Sequence, residues 1–238
     1  MLHKLPSYLW RNTLRPLWYR FSGKEKKALL MLFDAYEPTE QLNFSLTRSA
    51  PQSITFAKDI FPQIKEAVSE YLAKRPDESV INIADIGGGT GAGTEYIRAK
   101  LQIHIAKSFP ERVVKVNMTM IESAGWYEEW CNRFYPKIVF LKADIYAHDM
   151  IYDYIICSAV IEHVEAPFEF IKRMRGMTKE RLFVYAPYNE HPLKQDGHIN
   201  KIDDDFLKQL DPLKLTFIKS KAWRFKGGMV LITLPGQT

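Results

Sequence analysis

Residues 80–91 read Val80-Ile-Asn-Ile-Ala-Asp-Ile-Gly-Gly-Gly-Thr-Gly91. The first seven are apolar and rich in β-branched side chains, and they stop against a run of glycines. A short continuous apolar run bounded by turn residues predicts a strand buried on both faces. The glycines predict a tight turn, because a residue without a Cβ reaches φ > 0 and lets a ligand approach bare backbone. The turn leads into Thr94–Phe109, which reads as a helix. Backbone N–H groups therefore gather at a helix start, and open α/β sheets bind their ligands at the carboxyl ends of strands.

Working outward, strand and helix alternate. Arg112–Ile121, Lys137–Lys142, Tyr152–Cys157 and Arg181–Ala186 read as strands, and Ser123–Phe134, Phe168–Met174 and Asp203–Leu210 as helices. This order predicts an α/β fold with a doubly wound, mostly parallel sheet, since right-handed crossover helices cover both faces. Leu213–Lys219 and Gly228–Leu234 have no helix between them and should pair antiparallel at one edge. Upstream, Ser53–Ala73 predicts a helix despite Pro62, Glu37–Pro51 a loop, and Lys26–Phe33 a helix. Trp10, Leu14, Leu17, Trp18 and Phe21 fall at helical spacing in a basic stretch. Residues 1–50 are thus expected to be a basic, aromatic helical extension and lid, and residues 51–238 the α/β domain.

A chain of 238 residues, 46% hydrophobic, suits one large domain, or a domain plus an extension. That composition excludes a disordered tail, a collagen and a disulfide-stapled miniprotein. Cys131 and Cys157 belong to no CxxC or Cys/His cluster, which argues against structural zinc and for a reducing compartment. No run approaches a membrane span and the N-terminus lacks the apolar core of a signal peptide, so the expected location is cytoplasmic. The net charge of +5 is concentrated: Lys4, Arg11, Arg15, Arg20, Lys24, Lys26 and Lys27 face Glu25 alone in the first thirty residues. The basic balance belongs to that segment and is no sign of a nucleic-acid groove across the body.

Three acids stand just past strand ends: Asp85, Glu122 and Asp144. Glu122 can accept from both hydroxyls of a ribose, Asp144 from an exocyclic adenine amine, and Asp85 can attract a cation while orienting the glycine loop. A carboxylate at the loop suits a sulfonium and repels a pyrophosphate. No Lys follows the glycines as a phosphate-binding loop would require. An acid after the second strand is shared with dinucleotide sites, and Gly87, Gly91, Gly93, Tyr96 and Lys100 can be read as a reductase-like set, although Tyr96 and Lys100 lie too near the glycines to build a separate site.

Residues 83–94 (IADIGGGTGAGT), Glu122, the segment KADIYAHD around Asp144 and YDYIICSAVIEHV (residues 152–164) resemble class I S-adenosylmethionine-dependent methyltransferases, and the likeness spans residues 80–235. The resemblance implies a seven-stranded sheet in the order 3-2-1-4-5-7-6 with strand 7 antiparallel, and S-adenosylmethionine as cofactor. It implies that Asp85, Gly87, Gly89 and Gly91 hold the methionine part, Glu122 the ribose and Asp144 the adenine, with Gly88, Ser123, Ile145 and Ser158 completing the contacts. In place of an Asn-Pro-Pro-Tyr type sequence stands Ser158-Ala-Val-Ile-Glu-His163, which looks like the small-molecule branch.

Methyl transfer from a sulfonium is an in-line displacement, helped mainly by alignment, and a hydroxyl acceptor must also lose a proton. His163 after strand four, then His198 and His191 in the loop after strand five, are the candidate bases in that order; a structural cap is the competing role for His163. His191, Asp196, His198 and Asp203 could instead bind a divalent metal, since carboxylates and imidazoles suit Mg or Mn, but their irregular spacing on a loop argues against it and no metal is assigned to them. Trp126 and Tyr127 can cover the adenine or pack in the core. Tyr36, Gln41 and Phe44 would belong to a lid over residues 37–50 suited to a polar ring.

The expected function is O-methylation of a small polar acceptor, a sugar or glycan precursor being the first choice. The alternatives are a nucleic-acid or protein methyltransferase docking through the basic N-terminus, and a non-catalytic S-adenosylmethionine-binding module. Residues 1–24 are open to a partner protein, to peripheral contact with the inner membrane surface, or to packing on their own domain.

Overall fold

The computed structural model describes residues 40–190, 197–222 and 228–237. Within them, helix α1 (Glu40–Lys74) precedes β1 (Val80–Ile86), α2 (Ala92–Ser108) and β2 (Lys115–Glu122). A 3-10 turn at Gly125–Tyr127 leads into α3 (Glu128–Phe134), then β3 (Ile138–Lys142), β4 (Tyr152–Ser158), α4 (Pro167–Gly176) and β5 (Thr178–Pro187). Helix α5 (Asp204–Lys208), β6 (Lys214–Ile218) and β7 (Met229–Pro235) complete it.

The strands form a seven-stranded sheet in the order β3-β2-β1-β4-β5-β7-β6. β1 pairs parallel with β2 and β4, while β7 runs antiparallel to both β5 and β6. The expected antiparallel pair exists, and β7 enters between β5 and β6, in the order the resemblance implies, so that β6 is the edge strand. The alternating pleat feeds two cores. Ile81 and Ile83 of β1 join α1 and α2 on one face, and Ala84, Ile86 and Cys157 join α4 and α5 on the other. Both cysteines are buried thiols. No described helix is long and apolar enough to cross a membrane.

Most boundaries differ from the sequence reading by a residue or more, β5 for one beginning at Thr178 and not Arg181, and three differences have a visible cause or change an element. Residues 40–51, expected as loop, continue α1 through Pro51 and Pro62. Each proline removes one ladder hydrogen bond. Leu42, Leu46 and Ala50 nevertheless bury a stripe at four-residue spacing that runs on into Ile60, Ile64, Ala67 and Val68, so packing decides against the local break. β2 begins at Lys115 and not Arg112, whose guanidinium donates to the Leu72 carbonyl in the last turn of α1 and to the Arg75 and Glu78 carbonyls just past it. The helix expected from Ser123 is a 3-10 turn before α3. Residues 1–39, with Trp10, Trp18 and Tyr36, lie outside the described residues.

Candidate active site

The glycine turn links the ends of β1 and β2. Gly87 N–H donates to the Ile121 carbonyl (2.9 Å). The Glu122 carboxylate accepts the Gly89 N–H (3.1 Å) on one oxygen and the Ala124 N–H (3.0 Å) on the other. The acid at the tip of β2 thus fixes the turn at the tip of β1. Asp85 is buried and accepts from the Thr94 hydroxyl (2.6 Å). Burial pushes its carboxyl up to about 7, against the lowering effect of the Thr94 bond and with the Glu122 charge adding.

The glycines serve different neighbours. A Cβ on Gly88 would strike Met120 Sδ at 2.5 Å, so that residue is small because the turn packs on β2. Gly89 has φ +57 and nothing within 4 Å of a Cβ, so it is the place where bare backbone faces open space. Gly91 caps α2, and a Cβ there would meet Cys131 Sγ at 3.1 Å.

Two clefts meet over this turn and share Gly87, Glu122, Ala159 and His163. The first, about 550 Å³, brings together Asp85, Gly87, Gly88, Gly89, Glu122 and Ser158 with His163 and His198. The second, about 590 Å³, brings Glu122 and Ser123 to Asp144 and Ile145. Both are of small-ligand size. Gly91 lines neither, and His191 and Asp196 lie outside the described residues. Asp144 accepts the Tyr146 N–H (2.9 Å), and Asp203 caps α5 through the Phe206 N–H (3.1 Å). Tyr127 lines the first cleft and shares a hydrogen bond with Ser45 (2.9 Å), whereas Trp126 is half exposed and lines neither cleft. Tyr96 and Lys100 form a ring–ammonium contact on α2 away from both clefts.

The rim after β4 holds most of what sequence reading missed. Ala159 turns the chain with φ +55, and Ile161–His163 form a 3-10 turn. The Glu162 carbonyl accepts the Ile199 and Asn200 N–H groups (2.8 and 3.1 Å), and the Asn200 amide donates to the Ile161 and Val164 carbonyls. These bonds bring residues 197–200 onto the turn. His163 Nδ1 then bonds the Gly197 carbonyl (2.9 Å) and His198 Nδ1 the Glu190 carboxylate (2.5 Å), with the two rings perpendicular at 4.6 Å. Burial lowers the His163 imidazole, opposed by the Gly197 carbonyl. Glu162 is 1% exposed, and among the described residues neither of its side-chain oxygens has a hydrogen-bond partner. Burial pushes it up to about 8, with the Glu190 charge adding. Ser158 Oγ and Thr90 Oγ1 are also buried without partners there. Glu190 had no signal in the sequence, and Glu162 only its place beside His163. On the α1 wall of the first cleft, Ser49 falls within the stretch expected as a lid, whereas Gln52, Ser53 and Phe56 were unannounced.

A sequence profile described as a methyltransferase domain matches residues 56–210. No curated protein matches the chain. Among solved structures, the CurJ carbon methyltransferase superposes with a TM-score of 0.52 at 13% identity, over 75% of this chain and 54% of that one. A chain of the complex between the Haloferax volcanii Trm112 methyltransferase activator and its methyltransferase superposes at 0.50 and 10% identity, over 78% and 95%. The plantazolicin methyltransferase BpumL, in complex with SAH, superposes at 0.49 and 16% identity, over 91% and 92%. The first two likenesses concern the fold alone.

Proposed function

The chain belongs to the class I S-adenosylmethionine-dependent methyltransferases, and on that premise we propose that it methylates a hydroxyl of a small polar acceptor, a sugar or glycan precursor. S-adenosylmethionine, when bound, supplies a methyl group on a cationic sulfur. The residues fit it. Each Glu122 oxygen accepts one backbone N–H and keeps lone-pair capacity for a ribose hydroxyl. Gly89 offers bare backbone, and Asp85 a buried carboxyl whose ionised form a nearby cation favours. Ser123, Asp144 and Ile145 hold the adenine end. In this reading Gly91 acts at one remove, by starting α2.

One observation carries the acceptor reading: besides the turn, the first cleft is lined by Ser49, Gln52 and Ser53 of α1, next to the apolar Phe56, Ala57 and Ile60, and by Ser158, His163 and His198. A cleft with hydroxyls, an amide and imidazoles suits a neutral polar ring. A hydroxyl is a poor nucleophile until its proton is removed, and His163 and His198 bring two imidazoles, the side chain most often used as a general base, to the rim. The chain's own work is to align acceptor oxygen, methyl and sulfur and to strip that proton.

Methyl-labelled cofactor offered to hydroxyl-bearing saccharides, amines and activated carbon acids tests the reading. A methyl ether on a saccharide is the expected product. Labelled product formed only on nitrogen or carbon removes the hydroxyl assignment.

A further inference from the structure

The cluster on the rim holds more than a proton acceptor requires. We propose that Glu162, His163 and His198 bind a divalent first-row cation, and that this cation holds and acidifies the acceptor hydroxyl; the second half rests on the hydroxyl reading above.

One ligand atom from each of the three lies within 4.8 Å of the other two. Ligands placed about 2.0–2.2 Å from a shared cation stand up to about 4 Å apart, so small side-chain rotations close the set. Glu162 is 1% exposed, with no hydrogen-bond partner on either side-chain oxygen among the described residues. A buried carboxylate in that condition calls for a counter-charge or an ion, because desolvation otherwise goes uncompensated.

The histidines carry the second half of the argument. The Gly197 carbonyl can only accept, so His163 Nδ1 is the protonated nitrogen. The Glu190 carboxylate imposes the same tautomer on His198. In both rings the lone pair then sits on Nε2. A backbone carbonyl behind one imidazole and a carboxylate behind the other are the outer partners that metal-binding histidines use to fix ring orientation and raise basicity. A general base needs one such ring; here two stand beside one buried carboxylate.

Two imidazole nitrogens and one carboxylate oxygen favour Zn²⁺, Mn²⁺ or a neighbouring first-row ion over Ca²⁺. Three protein ligands leave positions open for an acceptor oxygen. One ionised carboxylate leaves the site net positive, which lowers the pKa of a bound hydroxyl. The acceptor O–H bond breaks and its proton goes to water. The oxygen lone pair then forms the bond to the methyl carbon, and the sulfur departs as a neutral thioether with the electron pair of the broken bond.

The full chain, stripped by a chelator and free of cofactor and acceptor, is titrated with Zn²⁺ by calorimetry and with Mn²⁺ by loss of its free-ion spin resonance signal. One equivalent should bind, and Ca²⁺ should bind far more weakly. Glu162→Gln and His198→Ala should each weaken binding at least about tenfold, and Glu190→Gln about 10- to 100-fold through His198. Glu169→Gln, at an exposed position on α4, should change nothing. If Glu162→Gln fails to fold by circular dichroism, His198→Ala and anomalous scattering from a Zn²⁺-soaked crystal carry the test. Absence of stoichiometric binding, or equal affinity in all variants, overturns the proposal. Methylation of a hydroxyl that persists after chelation overturns the cation's role and leaves the hydroxyl acceptor standing. Tight binding lost in these variants, together with methylation only on nitrogen, upholds the site and removes the hydroxyl reading.

Discussion

At the glycine turn each acid is answered by the chain itself: Glu122 by the Gly89 and Ala124 N–H groups, Asp144 by Tyr146 N–H, Asp85 by the Thr94 hydroxyl. On the rim beyond β4 and β5, Glu162 has no such answer among the described residues and Glu190 has one oxygen answered, by His198. The turn is a prepared cradle whose groups are held before any ligand arrives. The rim keeps buried polar atoms in reserve, which is costly in a folded protein and is tolerated where chemistry needs it. On the proposed function one half holds and the other reacts, and substitutions on either side should separate those two quantities.

His163→Ala should have the largest effect. Turnover should fall roughly 10²- to 10⁴-fold, whether the ring takes the acceptor proton itself or holds the cation that acidifies the hydroxyl, while cofactor affinity stays as it was. Equal losses in both would erase the distinction between holding and reacting. Glu122→Ala should do the reverse: loss of charge-assisted hydrogen bonds worth roughly 1.5–3 kcal/mol each weakens the affinity for S-adenosylhomocysteine by about a hundredfold, read by calorimetry. An unchanged affinity removes the ribose assignment.

The smallest effect belongs to Asp85. Its carboxyl titrates at about 7 in the folded chain against 3.8 as the unperturbed value. The folded state therefore holds a proton that the unfolded state releases, and this group costs nothing below the unfolded value, a growing amount as pH rises between the two, and its full penalty above about 7. Asp85→Asn should raise the melting temperature on the alkaline side of that window and leave it unchanged on the acid side. Cofactor affinity in the parent chain should rise as pH climbs through about 7, by up to about tenfold, and the variant should lose that rise. A flat affinity profile in the parent would show that the Asp85 charge does not bear on the sulfonium.

Legibility followed the same division. Asp85, the glycines, Glu122 and Asp144 could be read because each stands at or just past the end of an apolar strand, and the strand rule fixes where such a residue points. The sheet order came with the resemblance that the same residues carry. Glu190 and the Gln52, Ser53 and Phe56 part of the α1 wall were not legible. Glu190 precedes a loop without periodicity, and its use depends on the Glu162 backbone capturing Ile199 and Asn200. The loop expected at residues 37–51 failed in its described part, from Glu40 onward, because Pro51 is a strong local signal that the Leu42, Leu46 and Ala50 stripe outweighs once α1 packs on the sheet.

The amino-acid order by itself determined the alternating α/β architecture and the acids at the strand tips, because hydrophobic periodicity and turn chemistry act over a few residues. Only the tertiary structure decided which distant groups share a cavity. A 3-10 turn at Ile161–His163 and a loop some 34 residues further on meet through backbone hydrogen bonds, and that meeting sets Glu162, His163, Glu190 and His198 side by side. Contacts of this range leave no local pattern, since their energy is gained only when the chain has already folded.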